Sequence, residues 1–310
     1  MPHPLRVLEL FCGIGGGAVA LGERAEVAAA VDISEPALRA YRYNFPTHRT
    51  LTRTIESLQG DDLAAYEADL WWLSPPCQPF TRRGLGRDLD DPRSAGLLRI
   101  LDLLADDRFD ALRPRYLALE NVGGFETSRA AKRLRGVLGE TGYHLRERLL
   151  CPSELGMPSR RPRYYMIAAR HTPFGPWRDE PVSTPLASCL DPRPDPALSL
   201  APDTAHRYRH ALDRVSADDV GAVTACFTSA YGRSPVRSGS YLEQGDGLRR
   251  FSPGEILRLL GFPASFRLPP DLPRDKAWRL VGNSLSVPAV QAVLRPIFDL
   301  ADRGRKRSSR

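Results

Sequence analysis

The chain has 310 residues, a formal net charge of +7 and a sequence pI near 9.4. That length suits one large α/β domain and a smaller one, no apolar run is long enough to span a bilayer, and the five cysteines lack CxxC spacing, which argues against a disulfide framework or a metal site. Without a leading apolar signal segment, we expect a cytoplasmic protein, and a monomer, whose positive charge permits nucleic acid as a partner.

The first 170 residues alternate between short apolar strands and segments of helical spacing. Strands are predicted at residues 6–11, 27–31, 70–73, 116–119 and 164–169, and helices at residues 36–43, 97–104 and 129–138. Repeated strand-then-helix units imply a parallel sheet with right-handed crossovers and helices on both faces. The predicted fold class is therefore α/β.

The sequence changes in character after residue 170. Residues 172–202 are rich in proline, which a central sheet does not accept, and helical spacing returns only at residues 253–260 and 288–300. We predict one large domain made of residues 1–170 and 251–310, which faces a small domain of residues 171–250 across a cleft.

A glycine-rich turn follows the first predicted strand. Phe11, Gly13 and Gly15 mark a tight turn where the backbone can approach a ligand, and Asp32 ends the second strand, where a carboxylate can bind the hydroxyl pair of a ribose. No GK[ST] sequence follows, so a phosphate-binding P-loop is disfavoured. The pattern favours an adenosyl ligand over a plain strand-to-helix turn.

A thiol follows the third strand, in the tetrad Pro75-Pro76-Cys77-Gln78. Two consecutive prolines fix the backbone and supply no amide hydrogens, so the side chain of Cys77 can point into a cleft. The alternative is an ordinary buried cysteine. The position, where a buried strand meets a stiff loop, suits a nucleophile.

Further polar residues lie at strand ends. Glu120, with Asn121 and Val122, should lie on the same carboxyl edge of the sheet as Cys77, where burial can keep its carboxyl partly protonated. An N-cap or a solvated turn is the alternative. Arg161 and Arg163 are two residues apart at the entry to a predicted strand, so their side chains should lie on the same face.

Six motifs in this order resemble those of the cytosine-C5 methyltransferases. They are Phe11-x-Gly13-x-Gly15, Pro75-Pro76-Cys77-Gln78, Glu120-Asn121-Val122, Arg161-x-Arg163, Arg249-Arg250-Phe251-Ser252 and Gly282-Asn283-Ser284. The resemblance spans nearly the whole chain. It implies a Rossmann-like domain that uses S-adenosyl-L-methionine, with a second, smaller target recognition domain.

The resemblance also implies roles for individual residues. Cys77 attacks C6 of cytosine, Glu120 holds N3 and the exocyclic amine, and Arg163, accompanied by Arg161, binds the O2 edge. The implied cofactor-binding residues are Phe11, Gly13, Ile14, Gly15, Asp32, Ile33, Ile55, Pro75, Asn283 and Ser284.

Other segments are similar to one branch, the tRNA cytosine-C5 methyltransferases that modify an anticodon-loop cytosine, position 38. They are Thr54-Ile55-Glu56, the segment from Ser74 to Arg82, Asp91-Pro92-Arg93, Leu155-Gly156-Met157-Pro158-Ser159 and, above all, Cys226-Phe227-Thr228-x-x-Tyr231-Gly232-Arg233. The resemblance implies substrate contacts from Gln78, Thr81, Arg82, Cys226, Phe227, Thr228, Tyr231 and Arg233. Alternatively, Cys226 and Phe227 pack in a core while Tyr231 and Arg233 make the contacts.

Three functions are compatible with these residues. Methylation of tRNA is preferred, because loop bases are already partly unstacked and the branch motifs favour it. The alternative is a DNA cytosine-C5 methyltransferase, since the catalytic residues serve both substrates. The last possibility, a catalytically silent nucleic-acid-binding scaffold, is disfavoured because Cys77, Glu120 and Arg163 are all present.

Overall fold

The computed structural model describes residues 4–81 and 86–308, with side chains up to Gly304. Its main feature is a seven-stranded sheet. The strands are β1 (Leu5–Leu10), β2 (Ala25–Asp32), β3 (Thr50–Thr52), β4 (Leu70–Leu73), β5 (Tyr116–Val122), β6 (Tyr143–Leu150) and β7 (Arg163–Arg170), and their spatial order is β3-β2-β1-β4-β5-β7-β6. The order reverses between β1 and β4, the kind of position where open α/β sheets bind ligands.

Strands β1 to β5, which are neighbours in the order β3-β2-β1-β4-β5, pair in parallel, as the strand-then-helix pattern predicts. Strand β7 departs from that prediction, because it runs antiparallel to both β5 and β6. The segment between β6 and β7, residues 151–162, contains no crossover helix, so the chain returns as a hairpin. The fold class, α/β with a sheet dominated by parallel strands, is confirmed.

Nine helices lie within the described residues. They are α1 (Gly16–Leu21), α2 (Glu35–Asn44), α3 (Gly60–Ala64), α4 (Ala95–Ala105), α5 (Arg129–Glu140), α6 (Pro202–Arg207), α7 (Pro253–Leu259), α8 (Arg274–Gly282) and α9 (Val287–Ser308). None of these helices is both long and apolar enough to cross a membrane. Each predicted helix is present, whereas helices α1, α3, α6 and α8 and strands β3 and β6 of the large sheet were not predicted.

The sheet is covered on both faces, which explains the apolar strand sequences. Along β4 the side chains alternate, so that Trp71 packs with the α4 and α5 face and Trp72 with the α1, α2 and α9 face. Strand β6 escaped prediction because it lies at the edge and carries exposed charged residues between Tyr143 and Leu150.

A second, three-stranded sheet lies in the segment predicted to form the small domain. Its strands are β8 (Asp213–Val215), β9 (Ser240–Gln244) and β10 (Gly247–Arg250), in the order β10-β9-β8. Apolar residues of this sheet belong to the same hydrophobic cluster as helices α7 to α9. The helices at the C-terminal end of the chain therefore connect the small sheet with the large one.

Candidate active site

A cavity of about 520 Å³ opens at the carboxyl edge of the large sheet. It lies where β1, β2 and β4 end, and the turn after α8 closes its other side. Most of the residues predicted to bind a cofactor line it, namely Phe11, Gly13, Ile14, Asp32, Ile33, Ile55, Pro75, Asn283 and Ser284. Cys77 and Gln78 line the same cavity.

Asp32 is fixed at the end of β2 by the loop that follows β1. Its carboxylate accepts hydrogen bonds from the backbone N–H of Gly13 and from that of Ser34, each at 2.8 Å. Burial raises the pKa of Asp32, and these amides oppose the rise. The carboxylate retains further lone pairs for a ligand hydroxyl.

Gly15, also predicted to bind a cofactor, does not line the cavity. It has a φ of 94°, and a Cβ atom there would lie 2.9 Å from ring atoms of both Phe45 and Tyr41. The glycine is required because the chain must turn tightly into α1 against these two rings. Gly15 shapes the loop that carries Gly13 and Ile14.

Cys77 stands at the first turn after β4, on the loop that Pro75 and Pro76 stiffen. The side chain of Asn121 donates a hydrogen bond of 3.2 Å to the carbonyl of Pro75, which ties this loop to β5. Burial raises the pKa of the Cys77 thiol, and the Arg163 guanidinium opposes the rise. The thiol therefore has a cationic neighbour that favours its reactive thiolate form.

Glu120 and Arg163 form an ion pair beside Cys77. The Nε atom of Arg163 lies 3.2 Å from Oε1 of Glu120, and the two side chains are 14% and 12% exposed. Strand β5 extends through Val122 instead of stopping at Glu120, because Glu120 pairs in register with Tyr165 of β7. Burial raises the pKa of Glu120, so its protonated form is favoured more than in water.

Arg161, predicted to act with Arg163 on the base, has a different environment. It precedes β7, is 4% exposed, and donates from its guanidinium to the carbonyls of Phe227, Gly282 and Ser284. These contacts bind the loop before β7 to the segment predicted to form the small domain and to the end of α8 and the turn after it. The geometry favours a positioning role for Arg161 over contact with a base.

The predicted substrate residues of the small domain fall into two groups. Phe227 is 3% exposed and Tyr231 is 0% exposed, and their rings pack edge to face. The Tyr231 hydroxyl donates to the carbonyl of Ser240 and accepts from the N–H of Phe251. This burial in the core argues against substrate contact by Phe227 and Tyr231, which remains a prediction.

The remaining substrate predictions lie nearer the surface. Arg233 is exposed, whereas Thr228 and Cys226 are partly buried, and Cys226 contacts the two arginines. Thr81 donates a hydrogen bond to the carbonyl of Gln78 at 3.2 Å. Arg82 lies outside the described residues.

Several residues of the cavity were not predicted. Arg93, Thr54 and Glu56 line it, and the guanidinium of Arg93 is held by the carboxylate of Asp91 through hydrogen bonds of 2.8 and 2.7 Å. Both residue segments, Thr54-Ile55-Glu56 and Asp91-Pro92-Arg93, are motifs of the sequence analysis, but only Ile55 was predicted to bind the cofactor. Within the described residues, no group of acidic, His and Cys side chains could hold a metal ion.

The sequence as a whole matches a known family. Residues 5–188 and 202–299 match the model of the C-5 cytosine-specific DNA methylases. The chain belongs to this family. Its membership agrees with the strand-end positions of Cys77, Glu120 and Asp32.

Individual relatives of this cytosine methylase support the assignment. A Spodoptera frugiperda protein named tRNA (cytosine(38)-C(5))-methyltransferase is 32% identical, with 95% of this chain and 99% of the relative covered. The crystal structure of the S. pombe Dnmt2 methyltransferase has a TM-score of 0.82 at 32% identity and covers 94% of this chain and 99% of its own. A Dictyostelium discoideum DNA (cytosine-5)-methyltransferase is 27% identical, with 94% of this chain and 93% of the relative covered.

The chain is thus a cytosine-C5 methyltransferase, and the family implies S-adenosylmethionine as the methyl donor. The cavity fits that molecule in its chemistry. A buried carboxylate, Asp32, suits a ribose hydroxyl pair, while Ile33, which is 68% exposed, and Ile55 offer apolar surface for a purine.

Proposed function

We propose that this methylase transfers a methyl group from S-adenosylmethionine to C5 of an anticodon-loop cytosine, position 38, of tRNA. The observation that carries the proposal is the similarity, over 95% of the chain, to a relative whose name states that reaction. The relative named as a DNA methyltransferase is less similar, at 27% identity. The preference for tRNA over DNA follows from this difference and from the branch motifs.

The cofactor site is assigned to the cavity at the carboxyl edge. Asp32 would hold the ribose hydroxyls, Ile33 and Ile55 would enclose the purine, and residues 11–14 with Asn283 and Ser284 would enclose the rest of the molecule. When bound, S-adenosylmethionine supplies an electrophilic methyl group on a sulfonium centre. The position of Cys77 on the same cavity brings the target base next to that methyl group.

Cys77 is assigned as the nucleophile. Its thiolate forms a bond from sulfur to C6 of the cytosine, and the π electron pair of the C5–C6 double bond shifts onto C5, which makes C5 nucleophilic while Glu120 protonates N3. Methylation of C5 would break the bond from the methyl group to the sulfonium sulfur and leave S-adenosyl-L-homocysteine as product. Loss of the C5 proton to solvent and departure of the Cys77 sulfur as a thiolate then restore the aromatic ring. The positive charge of Arg163 stabilises the thiolate that begins this sequence.

Glu120 and Arg163 are assigned to the polar edge of the base. A protonated Glu120 donates to N3 as negative charge develops on the ring, and its raised pKa favours that form. Arg163, whose guanidinium contacts Glu120 at 3.2 Å, donates to O2. The pair therefore presents an acid and a cation to adjacent positions of one ring.

Recognition of the RNA is assigned to the small domain, residues 171–250, together with the loop after Cys77. A cytosine in an RNA loop requires less unstacking than a base in a duplex, so a compact recognition segment suffices. Of the predicted set, exposed Gln78 and Arg233 and partly buried Thr81 and Thr228 remain available for contact.

The test is transfer of labelled methyl from S-adenosylmethionine to matched pools of total tRNA and genomic DNA. The Cys77→Ala variant serves as the inactive control, and Cys151→Ser as a control for loss of a thiol away from the cofactor cavity. Label in tRNA, mapped to position 38 by bisulfite sequencing, is expected. Label in DNA alone would instead assign the chain as a DNA methyltransferase with the same chemistry.

A further inference from the structure

Arg161 is a buried cation with no carboxylate in contact among the residues that the structure describes. Among the described residues, its guanidinium contacts three backbone carbonyls and one sulfur, while the neighbouring carboxylate, Glu120, pairs with Arg163. A buried charge without a counter-ion is strongly unfavourable. The sulfur that Arg161 contacts belongs to Cys226.

Cys226 lies between the two arginines. Its Sγ atom is 3.4 Å from Nη1 of Arg161 and 3.9 Å from Nη2 of Arg163. The other polar contact of this sulfur, with the carbonyl of Phe227, is long at 3.6 Å, and that carbonyl already accepts from Arg161 at 3.1 Å. Two guanidinium donors therefore face the sulfur, and a protonated Cys226 thiol would find only a long hydrogen bond to a carbonyl that is already occupied.

The charged groups around Cys226 favour the thiolate. Burial raises the pKa of Cys226, but the guanidinium groups of Arg161 and Arg163 outweigh this effect and leave its pKa below the ordinary value. Beyond the arginines lie Glu120, Cys77 and Tyr165, which act on Arg163 from its other sides. For Cys77, by contrast, burial prevails, and its pKa is raised.

We propose that Cys226 is a positioning residue whose thiolate neutralises Arg161 and holds the guanidinium of Arg163 against Glu120. Because Arg163 is assigned to the base only in the proposed function, this inference rests on that function. The neighbouring Phe227 is anchored in the core against Tyr231 and Phe251, so the sulfur stands on a rigid segment of the small domain. Cys226 thus couples the small domain to the catalytic ion pair.

The charge of Cys226 is tested without any substrate. The thiolate absorption band in the ultraviolet is titrated in the Cys77→Ala protein and in the Cys77→Ala/Cys226→Ser protein. The expected difference is one thiolate equivalent at neutral pH. A difference that arises only at or above the pH at which an ordinary cysteine ionises, about 8.5, would overturn the inference.

The positioning role is tested by methyl-transfer kinetics on whichever nucleic acid the enzyme accepts. Cys226→Ser preserves the shape of the side chain but is neutral, and it should lower kcat about tenfold or more with little change in KM, as loss of one charge-assisted contact implies. Cys226→Ala should behave alike. The matched control is Cys151→Ser, because the Cys151 sulfur accepts from two neutral groups, the Ser153 hydroxyl at 3.1 Å and the backbone N–H of Arg161 at 3.4 Å, and kcat should be unchanged.

Wild-type kcat in Cys226→Ser would overturn the positioning role. Should Cys226→Ser fail to fold, the Cys77→Ala protein alone decides, since it must carry one thiolate at neutral pH and its absence overturns the inference. The absorption measurement needs no substrate. It can therefore confirm or overturn the charge of Cys226 even if the enzyme proves not to methylate tRNA.

Discussion

Arg163 and Glu120 are joined by a contact of 3.2 Å, and they act on the Cys77 thiol in opposite directions. The cation lowers the pKa of the thiol, whereas an ionised carboxylate raises it. Protonation of Glu120 therefore serves two steps at once, because it supplies a donor for the base and removes a negative charge from the neighbourhood of the nucleophile. Burial of Glu120 favours this protonated state.

Glu120→Gln should reduce kcat by roughly 10²- to 10⁴-fold, the usual contribution of a positioned acid. The amide can still accept from Arg163, so the ion-pair geometry is largely kept while the transferable proton is lost. Steady-state methyl-transfer kinetics measure the effect, and calorimetry should show unchanged cofactor affinity. The control is Glu140→Gln at the exposed end of α5. A fully active Glu120→Gln enzyme would remove Glu120 from the chemistry.

Asp32→Asn should weaken S-adenosylmethionine binding by roughly 10- to 100-fold, because hydrogen bonds to a charged acceptor contribute about 1.5–3 kcal/mol. Affinity in the wild type should also fall as the pH is lowered through the raised pKa of Asp32, since the ionised form is the acceptor. Isothermal titration calorimetry measures both effects. Glu35→Gln, on the exposed first turn of α2, is the matched control. Equal affinities for wild type and Asp32→Asn would refute the ribose assignment.

Much of the site was predictable because its residues directly follow apolar strands. Asp32, Cys77 and Glu120 each lie at or just after the carboxyl end of a parallel strand, and such ends meet at one edge of a sheet. The local sequence alone therefore predicted the positions of these three residues, without knowledge of contacts between distant parts of the chain.

The remainder depended on contacts between distant parts of the chain. Arg161 and Cys226 are 65 residues apart, and nothing in either local sequence indicates that they meet. Tyr231 looked available for substrate, but its hydroxyl is satisfied inside the core by Ser240 and Phe251. The antiparallel placement of β7 was likewise hidden, because the edge strand β6 that precedes it lacks an apolar pattern.

Glu9→Gln should flatten the pH dependence of stability. Glu9 is fully buried behind the glycine-rich loop, and burial, opposed mainly by a hydrogen bond of 3.0 Å from Tyr41, raises its pKa from 4.5 to about 8. The folded state therefore keeps a proton that the unfolded chain has lost, so wild-type stability declines as the pH rises from about 4.5 to about 8. The slope from this group is at most about 1.4 kcal/mol per pH unit.

Urea unfolding at about pH 6 and at about pH 9 measures this slope. The expected result is a smaller loss of unfolding free energy in Glu9→Gln than in the wild type. Glu26→Gln serves as the control, because this exposed residue of β2 pairs with Arg6 at the surface. Identical slopes for wild type and Glu9→Gln would show that Glu9 is ionised in the folded protein at both values.

Two glycine-to-alanine substitutions should have opposite effects on stability. A Cβ atom at Gly282 would lie 2.3 Å from the carbonyl carbon and oxygen of Thr228, where backbone has to move, so Gly282→Ala should destabilise the fold by about 1–3 kcal/mol. At Gly136, exposed within α5, a Cβ would meet nothing within 4 Å, and alanine should stabilise the helix by up to about 1 kcal/mol.

Thermal unfolding of the two variants distinguishes these effects, with Tm lowered in Gly282→Ala and raised in Gly136→Ala. The Gly282 change should also reduce kcat, because the Gly282 carbonyl accepts from Arg161 at 3.2 Å and Thr228 follows the segment that holds Cys226. Gly136→Ala should leave kcat unchanged. A Gly282→Ala enzyme with wild-type Tm and kcat would contradict the close approach of α8 to this segment and its importance for the site.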